Sequence, residues 1–169
     1  MAQNFTKRLV LTAVLISLSI VLTRLLSIQF LTIRVGFGFL PLAFISIMFG
    51  PFWGAVAAAV ADITGFFMFP PPAPFFPGFT LSAALTGFIY GVFMYNKKNI
   101  GDISLKRVIL ACGSVGLFVN FILNTFWLYL IVRDAVIPTI PVRALWAIVF
   151  TSISITVINS LKSAVNRFF

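Results

Sequence analysis

The ionisable side chains of this chain are few and unevenly matched in charge. Twelve Lys and Arg residues stand against three acidic residues, and histidine is absent. The acids are Asp62, Asp102 and Asp134, and the last two fall in predicted loops. Acid–base catalysis, metal-assisted hydrolysis and a nucleophilic triad each need a cluster of titratable groups that this sequence lacks. No glycine-rich lysine motif for gripping phosphate is present, so we expect a binding protein that does not itself hydrolyse ATP.

Four arginines lie apart from the other basic residues and can form a site for an anion. Arg24 is predicted about 10 Å below the outer end of the first apolar span, Arg34 starts the second span, Arg133 ends the fifth and Arg143 precedes the sixth. Arginine is costly within hydrocarbon, and its planar fork pairs bidentately with carboxylate. We therefore expect a cationic outer mouth for an anionic ligand. The alternative is contact with lipid headgroups, or a surface pair between Arg133 and Asp134.

The composition indicates that lipid surrounds most of the chain. Of 169 residues, 61% are hydrophobic and 9% are charged, against about a quarter charged in soluble domains. A helix rises about 1.5 Å per residue and the hydrocarbon core is about 30 Å thick, so the apolar runs are long enough for several spans. Breaks at Gly50-Pro51 and in the proline-rich run Phe69–Pro77 divide the central part into separate helices. The predicted spans cover residues 9–31, 35–49, 52–69, 78–95, 108–132 and 144–165.

The basic residues determine the predicted orientation. With six spans, most of them fall on one face of the membrane, namely Lys7, Arg8, Lys97, Lys98, Lys106, Arg107, Lys162 and Arg167. The positive-inside rule then places both termini in the cytoplasm, and the bases need no nucleic acid as a partner. The sequence therefore predicts an all-α integral membrane protein that forms a single six-helix transmembrane domain over residues 1–169.

Polar residues inside the predicted spans indicate where helices meet or a ligand binds. Asp62 shares one helical face with small residues, and either Arg24 neutralises it or it accepts from an amidine-like N–H pair of a heterocycle. Asn124 and Trp127 lie together in the outer half of span five, where an amide and a stacking ring suit a flat heterocycle. The alternative for this pair is an interhelical hydrogen bond and an interfacial anchor.

Three segments of the sequence carry a resemblance to known proteins, namely IRVGFGFLPLAFISIMFGPFWGAVAAAVAD at 33–62, FPGFTLSAALTGFIYG at 76–91 and NFILNTFWL at 120–128. They resemble the folate-selective S-components of energy-coupling factor (ECF) vitamin importers. The second segment is fairly specific to the folate group, whereas the first is shared more loosely among S-components. The resemblance covers nearly the whole length of the chain.

This resemblance implies a receptor in the prokaryotic cell membrane that captures folate outside and delivers it inward with a coupling subunit and two ATPases. The chain itself would need no cofactor, since the ATP would be used by its partners. The small residues Ala13 and Ser17 of span one correspond to the family's contact with the coupling subunit, although the pattern is common. Phe75 and Phe76 are further candidates for sandwiching the rings of folate.

The expected ligand-binding residues divide into charged and uncharged sets. Arg24 and Arg34 are expected to pair with the glutamate carboxylates of folate. The uncharged set is expected to line the pterin side, and Asn124 or Asp62 could read the pterin edge. The full expected set is Arg24, Arg34, Asp62, Phe79, Thr80, Asn124, Trp127 and Arg133. Alternative functions are an S-component for pantothenate or a hydroxymethylpyrimidine, and a small channel.

Overall fold

The chain forms a bundle of helices with one short hairpin. The computed structural model describes the backbone of residues 2–30, 33–71, 74–96 and 103–168, while the side chains of 2–4, 28–35, 134–135 and 161–168 lie outside this description. The helices are α1 Ala2–Arg24, α2 Phe39–Phe49, α3 Pro51–Met68, α4 Pro77–Met94, α5 Leu105–Ser114, α6 Asn124–Val132 and α7 Ile140–Phe168. A π-helical segment, Val115–Leu123, joins α5 to α6, and a 3-10 helix, Arg133–Thr139, leads into α7.

Five helical stretches in the described part of the chain are long and apolar enough to cross a membrane. They are Phe5–Arg24, Pro51–Met68, Pro77–Met94, Leu105–Val132 and Val136–Ser160. The π-helical segment lies inside the fourth stretch, so α5 and α6 form one continuous span. The predicted helical membrane architecture is thereby confirmed. The second predicted span is the apolar helix α2, whose 11 residues extend only about 16 Å at the usual rise.

Gly50 and Pro51 end and start helices where the sequence predicted, whereas α4 starts at Pro77, which was predicted to lie in the preceding loop. Gly50 has a φ of 94°, a conformation that glycine adopts without a Cβ penalty, and it ends α2. Pro51 then begins α3 and Pro77 begins α4, in the first-turn positions that proline tolerates. The short link between α2 and α3 turns the chain back on itself, so these two helices pack directly against each other.

The predicted end of span one at Leu31 and the start of span two at Val35 are wrong. The first helix ends at Arg24, and strands β1 (Ile28–Phe30) and β2 (Ile33–Val35) form an antiparallel hairpin in which Gln29 pairs with Arg34. Each strand alternates apolar, polar and apolar side chains, which is the period of a strand and not of a helix. The hairpin also lets the two strands satisfy part of each other's backbone hydrogen bonds.

The helices α3 and α4 approach so closely that their backbones touch. A Cβ atom on Gly87 would collide with the backbone of Gly54, and one on Gly91 would collide with Pro51. Small residues permit this approach in membrane bundles, where packing drives helix association in the absence of water. The pair α3 and α4 therefore forms the rigid centre of the bundle.

The closed core lies at one end of the bundle. Its fully buried members include Tyr90 and Met94 near the end of α4, with Val108 and Cys112 in α5. The opposite end, where α1 and α3 finish and α2 and α4 begin, is called here the Arg24 end.

We predict that Gly87→Ala destabilises the bundle by about 1–3 kcal/mol, because the added methyl group overpacks the contact with α3. Thermal unfolding in detergent micelles measures this loss. Gly113→Ala is the matched control, because a Cβ atom at Gly113 meets nothing within 4 Å. Equal melting temperatures for the two variants would contradict the proposed backbone contact.

Candidate functional site

A cavity of about 200 Å³ lies at the Arg24 end, enclosed by α1, α2, α3 and α4. Its walls are mostly apolar, but five polar side chains reach it, namely Ser19, Thr23, Arg24, Asp62 and Thr86. Convergent polar groups in an apolar cavity are typical of small-molecule sites. The volume is smaller than the 300–1,000 Å³ or so of sites that enclose a drug-sized ligand. The cavity is therefore suited to one portion of such a ligand.

A cation and an anion from different helices meet in this cavity. Arg24 Nη2 of α1 lies 3.9 Å from Asp62 Oδ1 of α3, and only 9% of the Arg24 side chain is exposed. The hydroxyl of Thr80 in α4 donates to Asp62 Oδ2 at 2.8 Å. An isolated charge inside a membrane bundle is expensive, so the two charges stabilise each other. The structure thus agrees with the interpretation in which Arg24 neutralises Asp62.

Local sequence leaves room for this ion pair. Asp62 lies in the second half of α3, and Gly65 follows it by about one turn. A Cβ atom at Gly65 would lie 3.2 Å from Arg24 Nε, closer than most side chains allow. The glycine therefore lets the guanidinium lie flat against α3. The predicted face of small residues on α3 therefore has two effects. At Gly54 it lets α4 pack closely, and at Gly65 it leaves room for the side chain of Arg24.

An aromatic cluster lies beside the cavity at the start of α4. The Trp127 ring centroid is 5.7 Å from that of Phe76, which in turn is 5.9 Å from Phe79. Trp127 Nε1 donates to Ser82 Oγ at 3.1 Å, which fixes the plane of the indole. Gly78 makes the space, since a Cβ atom there would lie 2.7 Å from Trp127 Cδ2. The cluster presents aromatic rings of the kind that stack on a flat ligand.

Helix α4 joins the cavity and the aromatic cluster. Ala83 and Thr86 line the cavity, whereas Phe79 and Ser82 contact the aromatic cluster. Residues three and four positions apart share a helical face, so the two features are neighbours on one surface. An elongated ligand can therefore contact both.

Asn124, about one turn before Trp127 in α6, carries an unused acceptor. Its Oδ1 atom is buried and has no hydrogen-bond partner among the described residues. A buried polar atom without a partner is costly, and a ligand can supply the missing donor. Asn124 begins α6 directly after the π-helical segment, and such segments are frequent at functional sites. Trp127 lies one turn further along the same helix.

The remaining predicted residues are placed differently. Arg133 directly follows α6 and begins the 3-10 helix, with an exposed side chain and a φ of 48°. The side chain of Arg34 lies outside the described residues. Arg143 was expected before span six but lies within the first turns of α7, where its Nε donates to Thr125 Oγ1 at 3.1 Å. This correction follows from the earlier start of α7 at Ile140. The structure thus brings together Arg24, Asp62 and Thr80, and separately Phe79 and Trp127.

Ala13 and Ser17 are exposed on α1, as a docking face requires. The hydroxyl of Ser17 donates to the carbonyl of Ala13 at 2.9 Å, so it does not need a partner from outside the helix. The face that these residues share is therefore narrow and largely apolar.

Sequence reasoning missed the hydroxyl groups of the cavity. Ser19 and Thr23 stand four residues apart in α1, and Thr86 in α4 completes the set. The spacing of Ser19 and Thr23 places them on one face of a helix that otherwise faces lipid. That pattern was the available indication of a polar lining.

The helices, the paired charges and the polar cavity define a multi-pass membrane protein with a small-molecule site. The family described as "ECF transporter, substrate-specific component" matches residues 7–165. The chain belongs to this family, whose members reside in the prokaryotic plasma membrane.

Individual relatives agree with this assignment. The folate transporter FolT of Clostridium novyi is 49% identical over 124 residues, covering 73% of this chain and 69% of the relative. The FolT of Leuconostoc mesenteroides is 34% identical over 130 residues, covering 77% and 68%. A crystal structure of FolT bound with folic acid superposes with a TM-score of 0.84 at 35% identity, covering 95% of this chain and 97% of that one.

We predict that Arg24→Ala lowers the stability of the protein by on the order of 2 kcal/mol, because Asp62 then lacks its counter-charge. The double variant Arg24→Ala/Asp62→Ala should recover part of this loss, since no unpaired charge remains. Thermal unfolding in detergent compares the three proteins. A double variant that loses the sum of the two single effects would argue against the ion pair.

Proposed function

We propose that this protein is the folate-binding S-component of an ECF importer. It would capture folate from outside the cell at the Arg24 end and deliver it inward with a transmembrane coupling subunit and two ATPases. The observation that carries this proposal is the polar cavity around Arg24 with an aromatic cluster directly beside it. The similarity to FolT proteins supports the same ligand.

Folate matches this surface group by group. It has a flat pterin, an aminobenzoyl ring and a glutamate with two carboxylates. A cavity of about 200 Å³ accommodates one end of this ligand, and the other end would extend along α4 toward Phe79. In this arrangement the glutamate pairs with Arg24, and the pterin stacks between Phe79 and Trp127.

The unused acceptor of Asn124 suits the pterin end. The pterin edge carries an amino group and ring N–H groups, which can donate to Asn124 Oδ1. Asp62 and Thr80 would hold Arg24 in position for the carboxylate, because both already bind in that corner of the cavity. Arg34 and Arg133 would add positive charge at the mouth and attract the dianion before it binds.

The chain would perform no bond-breaking chemistry and would need no cofactor of its own. Its three aspartates supply no catalytic cluster, and ATP hydrolysis would belong to the partner subunits. The exposed face of Ala13 and Ser17 would meet the coupling subunit. Contact there would transmit ATP-driven movement to the helix that also carries Arg24.

We predict that folate quenches the tryptophan fluorescence of the purified protein in detergent with nanomolar affinity. Trp127→Phe should abolish most of the quenching and weaken binding, because it replaces the indole proposed to stack on pterin by a smaller ring. Trp146→Phe is the matched control, since Trp146 packs on Phe150 in α7. Calorimetry gives the affinity independently of fluorescence.

Pantothenate and riboflavin serve as competing ligands in the same titration. We expect that neither of them displaces folate. Preferential binding of pantothenate, or binding of none of the three, would contradict the folate assignment. Ion conductance in liposomes without any ATPase would instead support a channel.

A further inference from the structure

The helix α1 is held to the rest of the bundle at few points. Among its described side chains, those buried are Thr12, Ser19 and Ile20, whereas its other faces are partly or fully exposed. The hydroxyl groups of Thr12 and Ser19 both form hydrogen bonds with residues outside α1. Ser19 Oγ donates to the carbonyl of Gly38 at 2.7 Å, and Thr12 Oγ1 accepts from Trp53 Nε1 at 2.8 Å. The Ser19 contact lies beside the cavity, and the Thr12 contact lies toward the opposite end of the bundle.

The contact at Thr12 is built from several groups. The hydroxyl of Thr12 also donates to the carbonyl of Arg8 at 2.7 Å, so the hydroxyl is both a donor and an acceptor. The indole of Trp53 is flanked edge-on by Phe5 and Phe49, with centroids at 6.2 and 6.4 Å. The guanidinium of Arg8 lies 5.8 Å from the Phe49 ring, which ties α1 to the end of α2.

This contact constrains the rotation of the first half of α1 about its own axis. Successive residues of a helix are about 100° apart, so fixing Thr12 toward α3 also fixes where Ala13 and Ser17 point. Those two residues are exposed and lie next to Thr12 in the sequence. An indole N–H is a single directional donor, and it bonds well only while Thr12 faces it.

We propose that the hydrogen bond from Trp53 to Thr12 is the positioning contact that presents the face of Ala13 and Ser17 to the coupling subunit. This inference rests on the proposed function, because the docking face has meaning only in the assembled importer. Trp53 is then a positioning residue for energy coupling, and it takes no part in binding folate. Thr12 lies about 18 Å along α1 from Arg24 by the helical rise, so coupling and ligand binding can be separated by substitution.

The test uses Trp53→Phe, Thr12→Val and the double variant in the complete importer. Trp53→Phe keeps an aromatic ring and removes the donor, whereas Thr12→Val keeps the branched shape and removes the acceptor. Calorimetry on the isolated variants should give folate affinities within about twofold of wild type, since the cavity is remote. Folate uptake by vesicles that contain the coupling subunit and both ATPases should lose about fivefold or more in maximal rate at unchanged KM.

The double variant separates a specific bond from general packing. Thr12→Val leaves the indole N–H without its acceptor inside the bundle, whereas Trp53→Phe leaves the Thr12 hydroxyl bonded to Arg8. We expect Thr12→Val to reduce uptake more than Trp53→Phe, and the double variant to resemble Trp53→Phe. Effects that add in the double variant would overturn the proposal, as would uptake equal to wild type in both single variants.

Two further proteins distinguish failure of this inference from failure of the proposed function. Ala13→Trp should bind folate normally and fail to co-purify with the coupling subunit, because the large ring blocks the face itself. Trp146→Phe is the control for replacing an indole elsewhere and should transport normally. If wild type binds no folate, the proposed function fails. If Ala13→Trp blocks assembly while Trp53→Phe and Thr12→Val transport normally, the positioning role alone fails.

Discussion

The structure depends on a charge pair that lipid cannot solvate. Arg24 and Asp62 come from helices that are distant in sequence, and neither is tolerated alone within a membrane bundle. Their pairing brings the end of α1 against α3, and the hydroxyl of Thr80 adds α4 to the same corner. Helices α1, α3 and α4 therefore meet at this ion pair, and α2 completes the wall of the cavity beside it. The proposed anion site is this guanidinium, whose planar fork is suited to binding carboxylate.

Around this point the bundle combines a rigid pair of helices with a more loosely attached one. The backbones of α3 and α4 touch at Gly54 and Gly87, which leaves little freedom between them. In contrast, α1 is fastened through the hydroxyls of Thr12 and Ser19 and through Arg24. Interhelical hydrogen bonds in membranes are individually weak, on the order of 1 kcal/mol. A helix held this way can dock to another subunit and still return to one defined orientation.

The sequence predicted features that depend on local chemistry and missed those that depend on distant partners. Pro51 begins a helix for reasons internal to the chain, and hydropathy locates the apolar helices. The β-hairpin was missed because its strands lie at the ends of apolar runs, and only their pairing defines them. The placement of Arg143 failed because the earlier start of α7 moves it inside a helix and next to Thr125. The roles of Asn124 and Trp127 as ligand contacts remain predictions, although the acceptor of Asn124 has no partner within the described part of the chain.

The most direct test measures, by calorimetry, the binding of folate and of pteroate to the wild-type protein and to Arg24→Ala. Pteroate keeps the pterin and aminobenzoyl groups of folate and lacks the glutamate. If Arg24 binds the glutamate, the substitution should weaken folate binding by well over tenfold, on the order of 2–3 kcal/mol. Pteroate binding should change much less. Equal losses for both ligands would place the pterin, and not the glutamate, in the cavity beside Arg24. Unchanged folate affinity in Arg24→Ala would contradict the account, because the paired arginine would then have no part in recognising the ligand.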